Sequence, residues 1–304
     1  MKSISIKKMN IRPDMLYLSS FLVPVLIMLV IFVIQHIYPF GERSFLHIDM
    51  YHQYFPFLVE FYHKLKNGES LFYSWNTGIG SNFLALYVYY LASPANWLCV
   101  LVPEKFLMEF LSYMVVIKIG LCGLTFTYYI RRHFQSDSWA ILCFSLFYAL
   151  SGFMAAYNWD VMWLDVIILA PVIIRGIERL VKEGKCYMYC IALGLSILSN
   201  YYLSIMLCIF LVLYFAVLLI AREPSVEQDS APLAFPKLGS IKNFYGKAVI
   251  RFSVFSLLAG GMAAILLLPE LAALRFTEFS DINFPSKLKT YFPTIDMLAR
   301  HCFN

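Results

Sequence analysis

Four stretches of this chain carry no Asp, Glu, Lys or Arg: 16–38, 138–159, 187–221 and 252–269. A helix needs roughly 20 apolar residues to cross a bilayer core, and in lipid only a helix satisfies its backbone within one segment. Uncharged runs of this length restrict the chain to an all-α, polytopic transmembrane bundle. Composition agrees: 61% of the 304 residues are apolar and 14% are charged, where a soluble domain carries about 25%. The first run is too long for a signal-peptide core, lacks an A-x-A-like exit and reads as a signal anchor. Most of the seven cysteines lie in apolar runs and read as packed thiols. Cys186 and Cys190 have no second pair, which argues against a zinc site or a disulfide framework.

Basic residues orient the spans, because short cytoplasmic loops collect Lys and Arg. Lys2, Lys7, Lys8 and Arg12 precede the first run, so the N-terminus is expected inside. Arg131, Arg132, Arg175, Arg179, Lys182 and Lys185 follow later runs, and Arg222, Lys237, Lys242, Lys247 and Arg251 cluster further on. About seven spans place all of these inside: 16–38, 106–130, 138–157, 161–181, 186–200, 203–221 and 248–269. The run 187–221 is divided because one helix of its length spans roughly 52 Å at 1.5 Å per residue, against a core of about 30 Å. The segment 83–102 carries Ser93, Pro94 and Asn96 at its middle. It is expected to re-enter the outer leaflet as a hairpin, since a crossing there would move every later basic cluster outside.

The whole chain, 1–304, reads as one transmembrane domain. Its external loop, 39–105, repeats apolar residues at helical spacing from Tyr51 to Leu65. His52, Gln53, Glu60, His63 and Lys64 fill the other face, which predicts an amphipathic interfacial helix ended by Asn67-Gly68. Residues 222–247 form a Pro-containing cytoplasmic connector, and 270–304 an external tail that breaks off as a truncated chain would.

The string Asp49-Met-Tyr-His-Gln53-Tyr54, then Tyr73-Ser-Trp75-Asn76-x-Gly78-x-Gly80-x-Asn82-Phe83 and Tyr90-Leu-x-Ser93-Pro94-x-Asn96, resembles the bacterial YfhO-like membrane proteins. So do Ser151-Gly152, Asn158 to Asp165, Pro171 and Ser199-Asn200-Tyr201-Tyr202. Members of that family are usually longer, so the resemblance implies an N-terminal portion. The family is similar to GT-C-type glycosyltransferases, which take sugar from a polyprenyl-phosphate carrier on the extracytoplasmic face. The resemblance thus implies a GT-C-like bundle and a polyprenyl-phosphate-linked sugar as donor. The implied acceptor is an envelope polymer such as teichoic or lipoteichoic acid. The implied partners are membrane lipid, a flippase and a donor-synthesising glycosyltransferase, with no nucleic acid.

GT-C-type enzymes place an essential acid in the first external loop, and Asp49 matches it. A carboxylate there can take the proton of an acceptor hydroxyl as the new C–O bond forms. Asp49 equally suits the N-cap of a helix beginning at Met50. His47, Asp49 and His52 are candidate ligands for a divalent metal, at loose spacing. Gln53 and Tyr54 are candidates for holding sugar hydroxyls or for interface packing, and His52, Asn76 and Asn82 are further substrate-binding candidates. Trp75, Trp159 and Trp163 suit stacking on sugar or interfacial anchoring. Asp160 reads as a solvated acid or a site residue. Asp165, inside an apolar run, is a functional candidate by default, either positioning acceptor or acting as a second charged group at the donor phosphate. Lys118, mid-span, should face the bundle interior and pair with an acid or a phosphate. Asn200, Tyr201 and Tyr202 break a span and offer freed groups to a lipid-phosphate head group. No Gly-rich phosphate loop or Walker pattern is present in the sequence, which argues against nucleotide-sugar use. The leading expectation is a membrane glycosyltransferase. Its rivals are a transporter or lipid-linked-sugar flippase, though no internal repeat is evident, and a non-catalytic envelope-assembly scaffold.

Overall fold

The computed structural model describes residues 12–221 and 244–276, together with 293, 295, 296 and 299. The chain divides into two units, 1–270 and 271–304. All the packing below belongs to the first.

Helix α1 (Pro13–Ile34) opens with proline in its first turn and Asp14 beside it, where a missing N–H costs nothing and a negative charge meets the helix dipole. Its buried residues, Leu16, Ser20, Pro24, Met28 and Phe32, fall four apart. Leu18, Leu26 and Val30 on other faces stay exposed on the protein, as a helix at the lipid boundary requires. The loop 39–105 then supplies a π-helical turn (Met50–Tyr54) that runs into α2 (Phe55–Asn67), closed by Gly68 in the left-handed conformation. A two-residue antiparallel pair, β1 (Tyr73–Ser74) with β2 (Ser81–Asn82), follows. Next come α3 (Phe83–Leu86), a π-helical turn to Leu91 and a 3-10 helix (Pro94–Leu101). The piece 83–91 meets the piece 94–101 at 102°, the bend lying at Ala92-Ser93.

Helix α4 (Leu107–Phe134) is the bundle's axis and packs against α1, α5 and α7. A Cβ on Gly123 would strike the Ser20 carbonyl oxygen of α1, so the two backbones meet where only glycine fits. Thr127 bonds to Ser20 at 2.6 Å and to Ser145 at 2.5 Å, joining α1, α4 and α5 through hydroxyls. Helices α5 (Ala140–Ala149) and α6 (Gly152–Tyr157) are separated at Leu150-Ser151. Helix α7 (Val161–Glu183) packs on α8 (Tyr187–Ser199) and α9 (Tyr201–Ile220). Helix α10 (Phe244–Leu274) runs through Pro269 and Glu270, beyond the expected end at 269. It docks on α8 and α9 through the Phe215–Phe252 stack at 4.3 Å and the Tyr189–Ser256 hydroxyl bond at 2.8 Å.

Among the described residues, five helical segments are long and apolar enough to cross a membrane: 13–34, 104–134, 140–157, 201–220 and 244–274. The bent pair 83–101 makes a sixth if counted as one span. Two of the seven expected spans fall short by that standard. Helix α7 carries Asp165, Arg175, Glu178 and Arg179, and α8 has 13 residues. Of the expected connector 222–247, residues 244–247 are helical and the rest lie outside the described residues. The expected tail is described to Phe276 and at the four later positions.

The ends of α7 carry opposite chemistry. Glu178, fully buried near its C-terminal end, accepts from His133 at 2.6 Å, Tyr214 at 2.8 Å and Arg175 at 3.0 Å. Arg179 and Lys185 pair with Glu183 alongside. Residues 161–183 rise roughly 34 Å at 1.5 Å per residue, so Asp160 at the start of α7 lies at the other end of the bundle.

Candidate functional site

At the Asp160 end, the loop 39–105 meets the start of α7 and the junction of α8 and α9. Tyr54 donates to Asp160 Oδ1 at 2.7 Å. Tyr90 donates to Gln53 Oε1 at 2.8 Å, and its ring packs edge-on to those of Tyr54 at 5.3 Å and Tyr89 at 4.7 Å. Tyr89 lies 5.9 Å from Tyr201 and 6.4 Å from Tyr202. Tyr202 stacks on Trp163 at 6.2 Å. Asn200 caps α9 through Leu203 N at 2.8 Å and reaches Tyr89 O at 3.4 Å. Tyr201 donates to Glu270 Oε1 at 2.8 Å. The chain folds this way because the uncharged run 187–221 breaks at Asn200, a residue whose side chain replaces the missing helical bond.

Asp49 enters at the rim. It is partly exposed and makes no side-chain cap bond to the turn beginning at Met50, so the N-cap reading of Asp49 is not realised. Ile48 beside it has φ 49°, a left-handed conformation that a β-branched residue rarely adopts. Asp160 is 4% exposed. Burial raises its carboxyl to about 6, the Tyr54 hydrogen bond opposes this, and the charge of nearby Asp49 adds to it. Burial, and then the bond to Asp160, push the Tyr54 hydroxyl far above its ordinary range, so it stays a donor. A carboxyl that changes protonation near neutral pH beside a second carboxylate suits proton exchange. Asp160 Oδ2, Trp163 Nε1 and Glu270 Oε2 are buried and have no hydrogen-bond partner among the described residues.

Lys118 and Asp165 form a separate pair. Lys118 is 2% exposed, and its Nζ donates to Asp165 Oδ2 at 2.7 Å, Val161 O at 3.1 Å and Ser93 Oγ at 3.4 Å. Asp165 is thus held by a cation, with part of its side chain still exposed. The pair also ties α4 and α7 to the bend at Ser93.

The polar face expected for α2 is partly interior. Glu60 and Lys64 are both buried. Glu60 accepts from Ser74 at 2.6 Å and Asn76 at 2.9 Å, and Lys64 donates to Ser70 O and Tyr73 O at 3.1 and 2.9 Å. Burial would raise the Glu60 carboxyl, but Ser74, Asn76 and Lys64 together hold it below its usual range. The β1–β2 loop covers this face, which is why it is not solvated. A groove of about 550 Å³ lies beside it, between Phe55, Phe57, Glu60, His63 and Asn76–Gly78.

Of the residues expected at the site, Asp49, Gln53, Tyr54, Asp160, Trp163, Asn200, Tyr201 and Tyr202 come together. Three others take different partners: Asn76 is bound by Glu60, Asn82 caps α3 through Ala85 N at 3.2 Å, and Trp75, 77% exposed, packs on Tyr73. His47, Asp49 and His52 do not form a metal site. His47 precedes the helical turn and bonds back to Phe45 O at 2.9 Å, whereas His52 sits within the turn against Tyr51. Among the described residues no group of three or more His, Cys, Asp or Glu could hold a metal ion. Sequence reasoning missed Tyr89 and Glu270. The signal for Glu270 was an acid directly after a proline that need not end a membrane helix.

No curated protein and no solved structure matches the chain. The sequence profile of one family, described as bacterial membrane protein YfhO, matches residues 19–304. An all-helical bundle with an elaborate first loop, the Asp49 string and a match over almost the whole sequence lead to one assignment: the chain belongs to the YfhO family of bacterial membrane proteins.

Proposed function

We propose that this protein is a GT-C-like membrane glycosyltransferase, moving a sugar from a polyprenyl-phosphate carrier to a cell-envelope polymer such as teichoic or lipoteichoic acid outside the membrane. The observation that carries the reading is the acidic end of the loop: Asp49, partly exposed, five residues before Tyr54, which donates to the buried Asp160 at 2.7 Å. In the proposed step Asp49 accepts the proton of an acceptor hydroxyl while that oxygen bonds to the anomeric carbon. The bond from that carbon to the carrier oxygen breaks, and its electron pair leaves on the lipid phosphate. Gln53 and Tyr90 hold the rim in shape. The Trp163–Tyr202 stack offers a face to a sugar ring. Lys118 and Asp165 act as positioning residues through the Ser93 bend and the start of α7. A flippase and a donor-synthesising enzyme would supply the carrier.

The test is release of sugar from a synthetic polyprenyl-phosphate-sugar panel by the protein in lipid nanodiscs, with envelope polymer as acceptor. Sugar appearing on polymer supports the reading, and intact donor across the panel overturns it. A transporter reading draws on the intramembrane Lys118–Asp165 pair and the break at Asn200. It predicts movement of unaltered lipid-linked sugar between leaflets, measured in the same vesicles.

A further inference from the structure

Three buried polar atoms, two at the start of α7 and one on α10, have no hydrogen-bond partner among the described residues. Asp160 Oδ2 precedes α7, Trp163 Nε1 lies in its first turn, and Glu270 Oε2 is on α10. Asp160 and Glu270 are 4% and 5% exposed, yet each uses one carboxylate oxygen on a tyrosine and leaves the other without a partner. The two tyrosines they hold are linked by ring contacts, Tyr54–Tyr90 at 5.3 Å, Tyr90–Tyr89 at 4.7 Å and Tyr89–Tyr201 at 5.9 Å. Trp163 joins the same group through Tyr202, which stacks on it and also neighbours Tyr89. A buried polar atom without a partner carries a desolvation cost that a ligand can remove.

We infer that Asp160, Trp163 and Glu270 form a binding site for a neutral, hydroxyl-rich group, with Glu270 as a ligand-contacting residue contributed by α10. Two carboxylate acceptors and one N–H donor match sugar or polyol hydroxyls, which both donate and accept. They do not match a phosphate. The interactions of Asp160 and Glu270 among the described residues include no Lys, Arg or His, and Lys118 is already taken by Asp165. Asp49 adds a further negative charge beside Asp160. The lipid phosphate of the proposed donor therefore binds away from these residues, which take the uncharged sugar or polyol portion. Only the identity of that portion as a glycosyl donor or acceptor group rests on the transferase reading. The hydroxyl chemistry does not.

The experiment is saturation-transfer NMR on the protein in nanodiscs, with methyl glycosides of neutral hexoses and N-acetylhexosamines as probes and inorganic phosphate as the counter-probe. Glu270→Gln keeps an oxygen to accept from Tyr201 and replaces the orphaned acceptor with a donor amide. Loss of a hydrogen bond to a charged group is expected to weaken glycoside binding about tenfold or more, with the thermal midpoint retained. Tyr201→Phe, which removes the Glu270 anchor, should weaken binding less. Unchanged binding in Glu270→Gln overturns the inference, as does saturable binding of phosphate at this site or of no glycoside at all. Glycoside binding that depends on Glu270, without turnover of any donor, would sink the transferase reading and leave this site standing. Donor turnover with binding indifferent to Glu270 would do the reverse.

Discussion

Lys118→Met tests whether the interior of the bundle is organised around one ion pair. Lys118 is 2% exposed and Asp165 retains 15% of its side-chain surface, with Nζ and Oδ2 2.7 Å apart. Removing the cation leaves a carboxylate in an apolar helix with no counter-charge. Stranding one member of a buried pair costs about 3–5 kcal/mol. Asp165 can recover part of this through its residual exposure, so the lower end applies, about 3 kcal/mol. Asp165→Asn strands the ammonium instead and should cost a similar amount. The double variant has no unpaired charge, and its cost should not exceed that of either single change. The coupling is then at least about 3 kcal/mol, well beyond the 0.3–0.5 kcal/mol scatter of independent sites. Equilibrium unfolding of the four proteins in mixed detergent micelles, followed by circular dichroism, measures the cycle. A double variant that loses the sum of the two single losses would refute the reasoning.

Three further outcomes follow from the geometry. The carboxyl of Asp160 lies near 6 when folded, above its ordinary value of 3.8, so the folded state holds this proton more tightly than the unfolded chain. Its contribution to stability is full below pH 4 and falls as pH rises towards 6, by about 1.4 kcal/mol per pH unit at its steepest. Asp160→Asn should flatten that part of the stability profile, and an unaltered profile would count against the burial argument. Gly123→Ala drives a methyl into the Ser20 carbonyl and should cost about 1–3 kcal/mol by forcing α1 and α4 apart, read as a lowered thermal midpoint. Asn76→Ala removes a bond to Glu60 and should cost about 1 kcal/mol locally, seen as faster proteolysis within 70–82 at an unchanged global midpoint.

Different parts of the molecule were legible for different reasons. Helices α1, α4 and α9 follow from apolar runs whose length admits few alternatives. Lys118 and Asp165 each stood out as an intramembrane charge needing a partner, but they are 47 residues apart in sequence. Only the packing of α4 on α7 joins them. Glu60 and Lys64 were read as a solvated face because helical period says which residues share a side, not what covers it. The cover is β1 and β2, two residues each, too short to announce themselves. Glu270 escaped because the apolar run stops at Leu268-Pro269 and the acid beyond it looked like the start of a tail. Proline removes one backbone donor, but the helix continues through it to Leu274. The Asp49 loop was legible through its motif, whereas its neighbours Tyr89 and Glu270 required the tertiary fold.

The most direct test of the central claim compares the native protein with Asp49→Asn in nanodiscs, measuring transfer of radiolabelled sugar from polyprenyl phosphate to envelope polymer while donor binding is followed in parallel. The account predicts transfer by the native protein and a loss of about 10²-fold or more in the variant, as removal of a general base entails, with donor binding retained. Equal transfer by the two proteins would contradict it.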